Sequence, residues 1–296
     1  MKKIFPKVLK SGDTIGLLSV AGNVEDCEIT RSAAKYFENK GFKTIISDTT
    51  FQNFRYMSGA DKNRANALNA FFADDDIDAI VCTRGGYGTL RILDKIDYHL
   101  IKKNPKIFCG FSDITALLLM IFKRTGLVTF HGPMANPDFS SEICEFTEKS
   151  FLDAVSGVKN KILSNGLCLK KGVARGVLWG GNLTVIASMA GLDFVPETSF
   201  VFFVEDVNEP AYKIDRMMTQ LLHIKAFSRN LAGIALGEFS GCDDNRFVQE
   251  IFTEIANALN IPVCTGFKIS HESEKITVPV GANCVFDSGS GSIELF

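Results

Sequence analysis

The stretch that decides the fold is IDAIVCTRGGYG, residues 77–88. Its first seven residues are mostly apolar and β-branched, which is typical of a strand buried on both faces. RGGYG (84–88) follows at once, and its glycines indicate a sharp turn at the carboxyl end of that strand. A buried strand that opens into such a turn favours an α/β fold with a ligand site at this edge of the sheet.

The chain on either side of this strand alternates short apolar segments with helical ones. Strands are predicted at 14–20, 43–47, 77–83 and 106–111, and helices at 28–41, 59–74, 89–97 and from Ser112 onward. Strands that alternate with helices in this way form a parallel sheet covered on both faces. We therefore predict an N-terminal α/β domain with a flavodoxin-like parallel sheet over residues 1–157.

The pattern changes after about residue 140. A helix at 146–157 is predicted to close the first domain, and 157–166 is interpreted as a connector. Strands are then predicted at 173–183, 200–207, 231–239, 261–267, 276–287 and 291–296, with helices in LTVIASMAGL, YKIDRMMTQLLHI and RFVQEIFTEIANAL. The second half is predicted to be a strand-rich mixed domain over residues 166–296, ending in a hairpin.

Composition narrows the functional class. Hydrophobic residues make up 46% and charged residues 22%, and the net charge of −2 gives no basic surplus for a nucleic-acid partner. No apolar run is long enough for a membrane span, and Pro6, Lys7 and Lys10 interrupt any secretory signal, so we expect a cytoplasmic protein without a membrane partner. None of the eight cysteines forms a C-x-x-C pair. We therefore predict that the cysteines are reduced and lie in the core, and that they bind no structural zinc.

GFSDIT (110–115) raises the first chemical question, because an apolar helical run follows it. Ser112 could cap that helix, since a serine oxygen accepts a hydrogen bond from a free amide of the first turn. It could instead attack a substrate at the same edge of the sheet as RGGYG. Both interpretations of Ser112 stay open on this segment alone.

A serine nucleophile needs a base, and the base needs an orienting acid. His271 lies in a polar loop between two predicted strands and is the best-positioned base among four histidines. Glu205 ends the apolar strand FVFFVEDV (200–207), where a buried carboxylate requires a partner. That partner could be a cation such as Arg216, or it could be the histidine.

An oxyanion hole has candidate amides in both motifs. The amide of Asp113 follows the serine directly, and Gly86 offers a second amide on the adjacent strand end. RGGYG could also be only a tight turn or a phosphate-binding loop. It matches neither the G-x-G-x-x-G fingerprint nor a Walker loop.

Seven motifs occur in order: TIGLLSVAG, AIVCTRGGYGTLRILDKIDY, GFSDITALLL, TFHGPM, GVLWGGNL, FVEDVNEPAYKIDRMMTQL and ISHESEKITVPVGA. Together they resemble the LD-carboxypeptidase family of serine peptidases, from about residue 10 to 285. The resemblance implies a triad of Ser112, Glu205 and His271, with oxyanion amides at Gly86 and Asp113. Glu209 lies in the same motif as Glu205 and is the alternative acid.

The resemblance also implies the chemistry. The expected substrate is a murein tetrapeptide that is cut before its terminal D-alanine. The enzyme is expected to need neither a metal nor an organic cofactor and to be a homodimer. We expect Arg84, Tyr87, Trp179 and Asn182 to contact substrate. Arg84 could instead brace the crevice through an ion pair, and Trp179 could be a core residue.

Two rival functions remain at this stage. A hydrolase of peptide–nucleotide antibiotics belongs to the same family and needs an extra aromatic side chain to stack on a base. A two-lobed small-molecule binding protein without chemistry would keep the crevice, but it would leave Ser112 and His271 without a purpose.

Overall fold

The computed structural model describes residues 2–158 and 161–296. The chain divides into two compact units, Met1–Val158 with Thr277–Pro279, and Lys159–Ile276 with Val280–Phe296. Residues 159 and 160 of the predicted connector lie outside the described residues. Its next part forms a strand at Ile162–Leu163 and belongs to the second sheet.

The first unit is built on a six-stranded sheet in the order β12-β5-β4-β3-β1-β2. Its strands are β1 (Thr14–Leu18), β2 (Lys43–Ile46), β3 (Ala79–Cys82), β4 (Ile107–Gly110), β5 (Thr129–His131) and β12 (Val278–Val280). The first five strands pair in parallel in the order 2-1-3-4-5, which is the flavodoxin-like order. The predicted α/β fold class is confirmed, because four of these five strands are buried along their whole length, as in a parallel sheet covered on both faces.

Helices cover this sheet. They are α1 (Cys27–Asn39), α2 (Asp61–Ala73), α3 (Tyr98–Lys103), α4 (Thr115–Thr125) and α5 (Glu145–Val155), with short 3₁₀ turns at Asp48–Phe51, Thr89–Lys95 and Ser112–Ile114. α4 is apolar around most of its circumference and is almost wholly buried. The rings of Phe37, Phe139 and Phe151 join α1 and α5 in the core. These contacts hold the helices to the sheet and so fix the loops at its carboxyl edge.

The second unit holds an eight-stranded mixed sheet in the order β6-β14-β13-β8-β9-β10-β11-β7. Its strands are β6 (Ile162–Leu163), β7 (Cys168–Lys170), β8 (Val173–Asn182), β9 (Phe200–Val207), β10 (Leu231–Ser240), β11 (Val263–Cys264), β13 (Asn283–Asp287) and β14 (Ser292–Leu295). The helices are α6 (Leu183–Ser188), α7 (Ala211–Leu222), α8 (Lys225–Asn230) and α9 (Asn245–Leu259). β8, β9, β10 and β11 run parallel, and β13 and β14 form the predicted terminal hairpin.

Two local predictions were wrong. The apolar run 276–287 forms two strands in different sheets, because the chain turns at Gly281, where φ is 98°. DYHLIKKN (97–104), where no helix was predicted beyond residue 97, contains α3, whose first turn is capped by the Asp97 carboxylate. A short polar helix of this kind carries little apolar periodicity, so sequence pattern misses it.

Cysteine placement follows the sequence prediction only in part. All eight cysteines are free thiols, but only Cys82, Cys109, Cys264 and Cys284 are buried, whereas Cys168 is exposed. Within residues 2–158 and 161–296, no three or more Cys, His, Asp or Glu side chains are arranged to hold a metal ion. No helix in this part of the chain is both long enough and apolar enough to span a membrane.

Candidate active site

Ser112 lies just beyond β4 and opens the 3₁₀ turn that leads into α4. Its φ is +60°, a left-handed conformation that a non-glycine residue adopts only under constraint. The N-cap residue of the 3₁₀ turn is Phe111, and that of α4 is Ile114. Neither N-terminus is capped by a side-chain hydrogen bond. The capping interpretation of Ser112 is therefore wrong.

The glycine turn after β3 packs directly on this serine. A Cβ atom on Gly85 would lie 2.8 Å from the Cβ of Ser112 and 2.9 Å from its Oγ. Gly86 has φ +107°, and a Cβ there would lie 3.2 Å from the Cα of Gly22. The Gly22 amide donates to the Gly85 carbonyl at 3.0 Å. Only residues without side chains allow the three loops to approach so closely.

Asp113 ties the serine turn to the glycine turn. Its Oδ2 accepts from the Thr89 amide at 2.9 Å, and its carbonyl accepts from the Thr89 hydroxyl at 2.6 Å. Burial raises the pKa of the Asp113 carboxyl, and the two Thr89 hydrogen bonds and Arg64 oppose that shift. The side chain thus has a structural job, while the Asp113 amide lies near Gly85, where a Cβ would be 3.5 Å from it.

Arg64 is fully buried and holds the loops around this turn, a role that sequence analysis missed. Its guanidinium donates to the carbonyls of Val20 at 2.6 Å, Gly88 at 2.9 Å and Gly59 at 3.2 Å. It also pairs with Asp61 at 2.5 Å. An arginine within an amphipathic helix is normally placed on the solvent face, so no sequence signal distinguished this one.

Arg84 and Tyr87 present free groups beside the same turn. Nη1 of Arg84 donates to the Asn23 carbonyl at 2.9 Å, and the guanidinium has no carboxylate partner among the described residues. The predicted bracing ion pair is therefore not found. Tyr87 is 45% exposed, and its ring meets that of Tyr56 edge-on, with centroids 5.7 Å apart. Tyr56 was also missed by sequence analysis, since one tyrosine in a turn has no distinguishing pattern.

In the second unit, Glu205 is fully buried at the end of β9 and contacts His271. Its Oε2 lies 2.6 Å from Nδ1 of His271. Burial raises the pKa of the Glu205 carboxyl, and the hydrogen bond to His271 opposes this shift. Glu209, the alternative acid, pairs instead with Lys213 at 3.2 Å. Arg216, the alternative partner for Glu205, lies over the ring of Tyr212.

The Asn182 side chain has a structural role and is not exposed for binding a substrate. Its Nδ2 donates to Oδ1 of Asp206 at 2.9 Å, and its Oδ1 accepts from the Val185 amide at 3.1 Å, which caps α6. Asp206 in turn accepts from the amide and hydroxyl of Thr184, both at 2.8 Å. Because Asn182 is only 5% exposed, the expectation that it contacts substrate is corrected to a role in fixing the end of β9.

Trp179 also departs from the expected substrate contact. It is fully buried on β8 among four phenylalanine rings, with centroid distances of 5.1 to 6.3 Å. These rings belong to Phe194, Phe200, Phe202 and Phe227. A side chain without accessible surface cannot meet a ligand, so the alternative of a core residue describes Trp179 better.

The groups that these units supply define a chemical class. One unit carries a serine at the carboxyl edge of a parallel sheet, and the other carries an imidazole held by a buried carboxylate. A serine, an imidazole and an orienting carboxylate are the groups with which serine-type hydrolases cleave acyl bonds.

Comparison with known proteins narrows this class to one family. The chain matches the LD-carboxypeptidase N-terminal domain over residues 15–132 and the LD-carboxypeptidase C-terminal domain over residues 175–286. It belongs to the LD-carboxypeptidase family, which confirms the resemblance carried by the seven motifs.

Relatives whose names indicate different roles match nearly the whole chain. It is 33% identical to the "Probable murein peptide carboxypeptidase" of Bacillus subtilis, covering 97% of this chain and 94% of that protein. It is 29% identical to the microcin C7 self-immunity protein MccF of Escherichia coli, and the match covers 97% of this chain and 94% of that protein. A solved muramoyltetrapeptide carboxypeptidase from Oxalobacter formigenes is 28% identical, with a TM-score of 0.84 over 95% of this chain and 97% of that one.

Proposed function

We propose that this protein is a serine carboxypeptidase that cleaves the L,D-peptide bond before the terminal D-alanine of murein tetrapeptides. The observation that carries the proposal is the contact between the buried Glu205 carboxylate and Nδ1 of His271, at 2.6 Å. A carboxylate on Nδ1 fixes the tautomer and orientation of a histidine, and Nε2 is then the nitrogen that acts as the base. The names of the murein-peptide relatives supply the substrate class.

The mechanism begins with Ser112. Nε2 of His271 takes the hydroxyl proton as Oγ attacks the carbonyl carbon of the scissile bond. Glu205 stabilises the resulting imidazolium, and the amides of Gly86 and Asp113 donate to the oxyanion. His271 then gives its proton to the departing amine of D-alanine, and water attacks the acyl-enzyme by the same route in reverse. No step calls for a metal ion or an organic cofactor.

A carboxypeptidase also needs a group that recognises the free carboxylate of its substrate. We assign this role to Arg84, with Tyr87 beside it. Arg84 is half-buried next to the glycine turn and uses one donor on Asn23, so its remaining N–H groups can bind a carboxylate in bidentate fashion. Arg84→Ala is expected to raise the KM for tetrapeptide. An unchanged KM would remove Arg84 from substrate recognition.

The direct test is release of D-alanine from tetrapeptides that contain L-lysine or diaminopimelate, measured by mass spectrometry. The native protein is expected to release one D-alanine per peptide, and Ser112→Ala is expected to release none. Tyr212→Phe, at an exposed position on α7, is the control for handling and folding. Equal release by the native protein and Ser112→Ala would refute the assignment of the nucleophile.

A second candidate function is hydrolysis of a peptide–nucleotide conjugate, as in an immunity protein. The observation that favours it is the exposed edge-on pair of Tyr56 and Tyr87, because exposed aromatic rings can stack on a nucleobase. The same assay, run with an aminoacyl sulfamoyl adenosine as substrate, distinguishes the carboxypeptidase function from the immunity function. A higher kcat/KM for this conjugate than for the tetrapeptide would favour the immunity function.

Cellular location and assembly belong to the same proposal. A murein-recycling role would place the protein in the cytoplasm, and the resemblance favours a homodimer. Light scattering after size-exclusion chromatography tests the second point, since a homodimer has twice the 32.5 kDa mass of one chain. A monomer over the micromolar range would contradict it.

A further inference from the structure

A cavity of about 370 Å³ opens in the second unit at the carboxyl end of β10. The first turns of α9 and the segment from Thr265 to Glu272 form its other walls. Leu236, Phe239 and Val248 give it an apolar lining. Both its size and its position at the carboxyl ends of parallel strands are typical of ligand sites in α/β proteins.

The polar part of the lining is acidic. It contains the carboxylates of Glu238 and Glu272, with Ser240, Asn245 and Gln249, and none of the described residues that line it is a lysine, arginine or histidine. Glu238 pairs at 3.1 Å with Lys268, which lies outside the lining. Glu272 has no ion-pair partner among the residues that the structure describes. One carboxylate thus remains uncompensated, which favours a cationic ligand.

This cavity borders the Glu205–His271 pair. Glu272 follows His271 directly in the chain. Gly237, another lining residue, packs on Glu205, because a Cβ on this glycine would lie 3.1 Å from the Cβ of Glu205. A substrate side chain that enters the cavity would therefore extend from a scissile bond served by His271.

We propose that the cavity binds the side-chain ammonium group of the substrate's diamino acid, with Glu272 as its counter-ion. The inference rests on the proposed carboxypeptidase function. The apolar lining fits the methylene groups of such a side chain, while Glu272 and the side-chain oxygens of Ser240, Asn245 and Gln249 accept from its N–H groups. L-Lysine and diaminopimelate share this chemistry, and both are tested.

The kinetic test compares native protein with Glu272→Gln on tetrapeptides that contain L-lysine, diaminopimelate or Nε-acetyl-lysine. Glu272→Gln is expected to raise KM for an ammonium-bearing substrate about tenfold, with kcat little changed, because a hydrogen bond to a charged group is lost. KM for the acetylated peptide should not respond. Of the two ammonium-bearing substrates, the one with the larger loss identifies the natural residue. Glu254→Gln, an exposed carboxylate on α9 outside the cavity, is the matched control and should leave all constants unchanged.

An equal effect of Glu272→Gln on acetylated and free substrates would overturn the proposal, as would no effect on any of them. A binding experiment separates this failure from failure of the proposed function. Nα-acetyl-L-lysine methylamide, titrated into the full chain, is expected to shift the amide resonances of Glu272 and Gln249 saturably. The shifts should be lost in Glu272→Gln and with the Nε-acetylated probe. Identical shifts with both probes, or none, would refute the cavity assignment even if D-alanine is released.

Discussion

Ser112 holds a backbone conformation, φ +60°, that costs a serine or an alanine of the order of 1 kcal/mol or more. The cost is sustained because Gly85 leaves room for the side chain and Asp113 fixes the turn through Thr89. Strain of this kind often occurs at functional sites, which agrees with the proposed role of Ser112. The strain itself makes a measurable difference between two inactive variants.

Ser112→Gly is expected to be about 1 kcal/mol more stable than Ser112→Ala, because only glycine adopts φ +60° without strain. Urea denaturation of both variants measures the difference. Both should be inactive in the D-alanine assay. An alanine variant as stable as the glycine variant would mean that the turn relaxes and that the strain is not intrinsic to the site.

Asp113 predicts a pH dependence of stability. Burial raises its folded-state pKa, so its contribution to the free energy of unfolding is present in full below the unfolded pKa and is lost as pH rises through the folded value. Asp113→Asn keeps an acceptor for the Thr89 amide and does not titrate. The stability of this variant relative to the native protein is therefore expected to increase from acid to neutral pH.

Denaturation of the native protein and Asp113→Asn at a series of pH values from 4 to 8 tests this sign. A difference that stays flat, or one that falls with rising pH, would show that the carboxyl at position 113 is charged and well solvated in the folded state.

At the scale of elements, the site depends on loops that follow β1, β3 and β4 and precede α2. From within α2, Arg64 donates to one carbonyl in each of three loops: the loop after β1, the loop after β3 and the loop before α2. The hydrogen bonds between Thr89 and Asp113 join the turn after β3 to the turn after β4. The loops are therefore joined by hydrogen bonds into one group, which holds irregular backbone in place at the candidate site.

Arg64→Met is expected to cost about 3 kcal/mol of the free energy of unfolding, since it leaves buried carbonyl groups without donors. Arg91→Met is the matched control, because Arg91 pairs with the same Asp61 from an exposed position. The loss for Arg91→Met, measured by urea denaturation, should be much smaller. Equal losses would mean that the pairing with Asp61 matters and that the carbonyl contacts do not.

Sequence pattern predicted most elements because their apolar periodicity is strong. The strand at 200–207 was predicted with the bounds it has in the structure, and α1, α2 and α9 lie within a few residues of their predicted limits. It failed where a local bond decides the structure: α3 depends on the Asp97 cap, and the break at Gly281 depends on backbone dihedrals. Neither feature changes the spacing of apolar residues.

The candidate site was predicted from motifs, whereas the burial of single side chains was not predicted. Ser112, Glu205 and His271 were selected because each role requires a particular residue type, and the choice among them stays a prediction until it is tested. Trp179 and Asn182 were expected to touch substrate, but both are buried and satisfy structural needs. Burial of an individual side chain depends on packing between distant segments, which one sequence without relatives does not reveal.

At the scale of the molecule, the chain returns to its first unit near its end. Thr277–Pro279 belongs to that unit, and β12 lies beside β5 as the edge strand of the six-stranded sheet. The Thr277 amide also donates to the Ser150 hydroxyl at 2.9 Å. The stability of the first sheet therefore depends on a segment that lies far along the chain from its other five strands.

Val278→Asp is expected to accelerate hydrogen exchange in β5 at least tenfold, because an unpaired carboxylate in this fully buried position costs more than about 1.4 kcal/mol. Val173→Asp, at a position that is 62% exposed on β8, is the control and should leave β5 protected. Unchanged exchange in β5 after Val278→Asp would mean that β12 contributes nothing to the stability of that strand.

The most direct measurement of the central claim is covalent labelling with a fluorophosphonate, followed by peptide mass spectrometry. A serine activated by histidine displaces fluoride from this reagent, whereas an ordinary serine hydroxyl does not. The native protein is expected to carry one adduct, on Ser112, and His271→Ala and Glu205→Gln are expected to label far more slowly. An adduct on another serine, or labelling of Ser112 at the native rate without His271, would contradict the proposed nucleophile and its base.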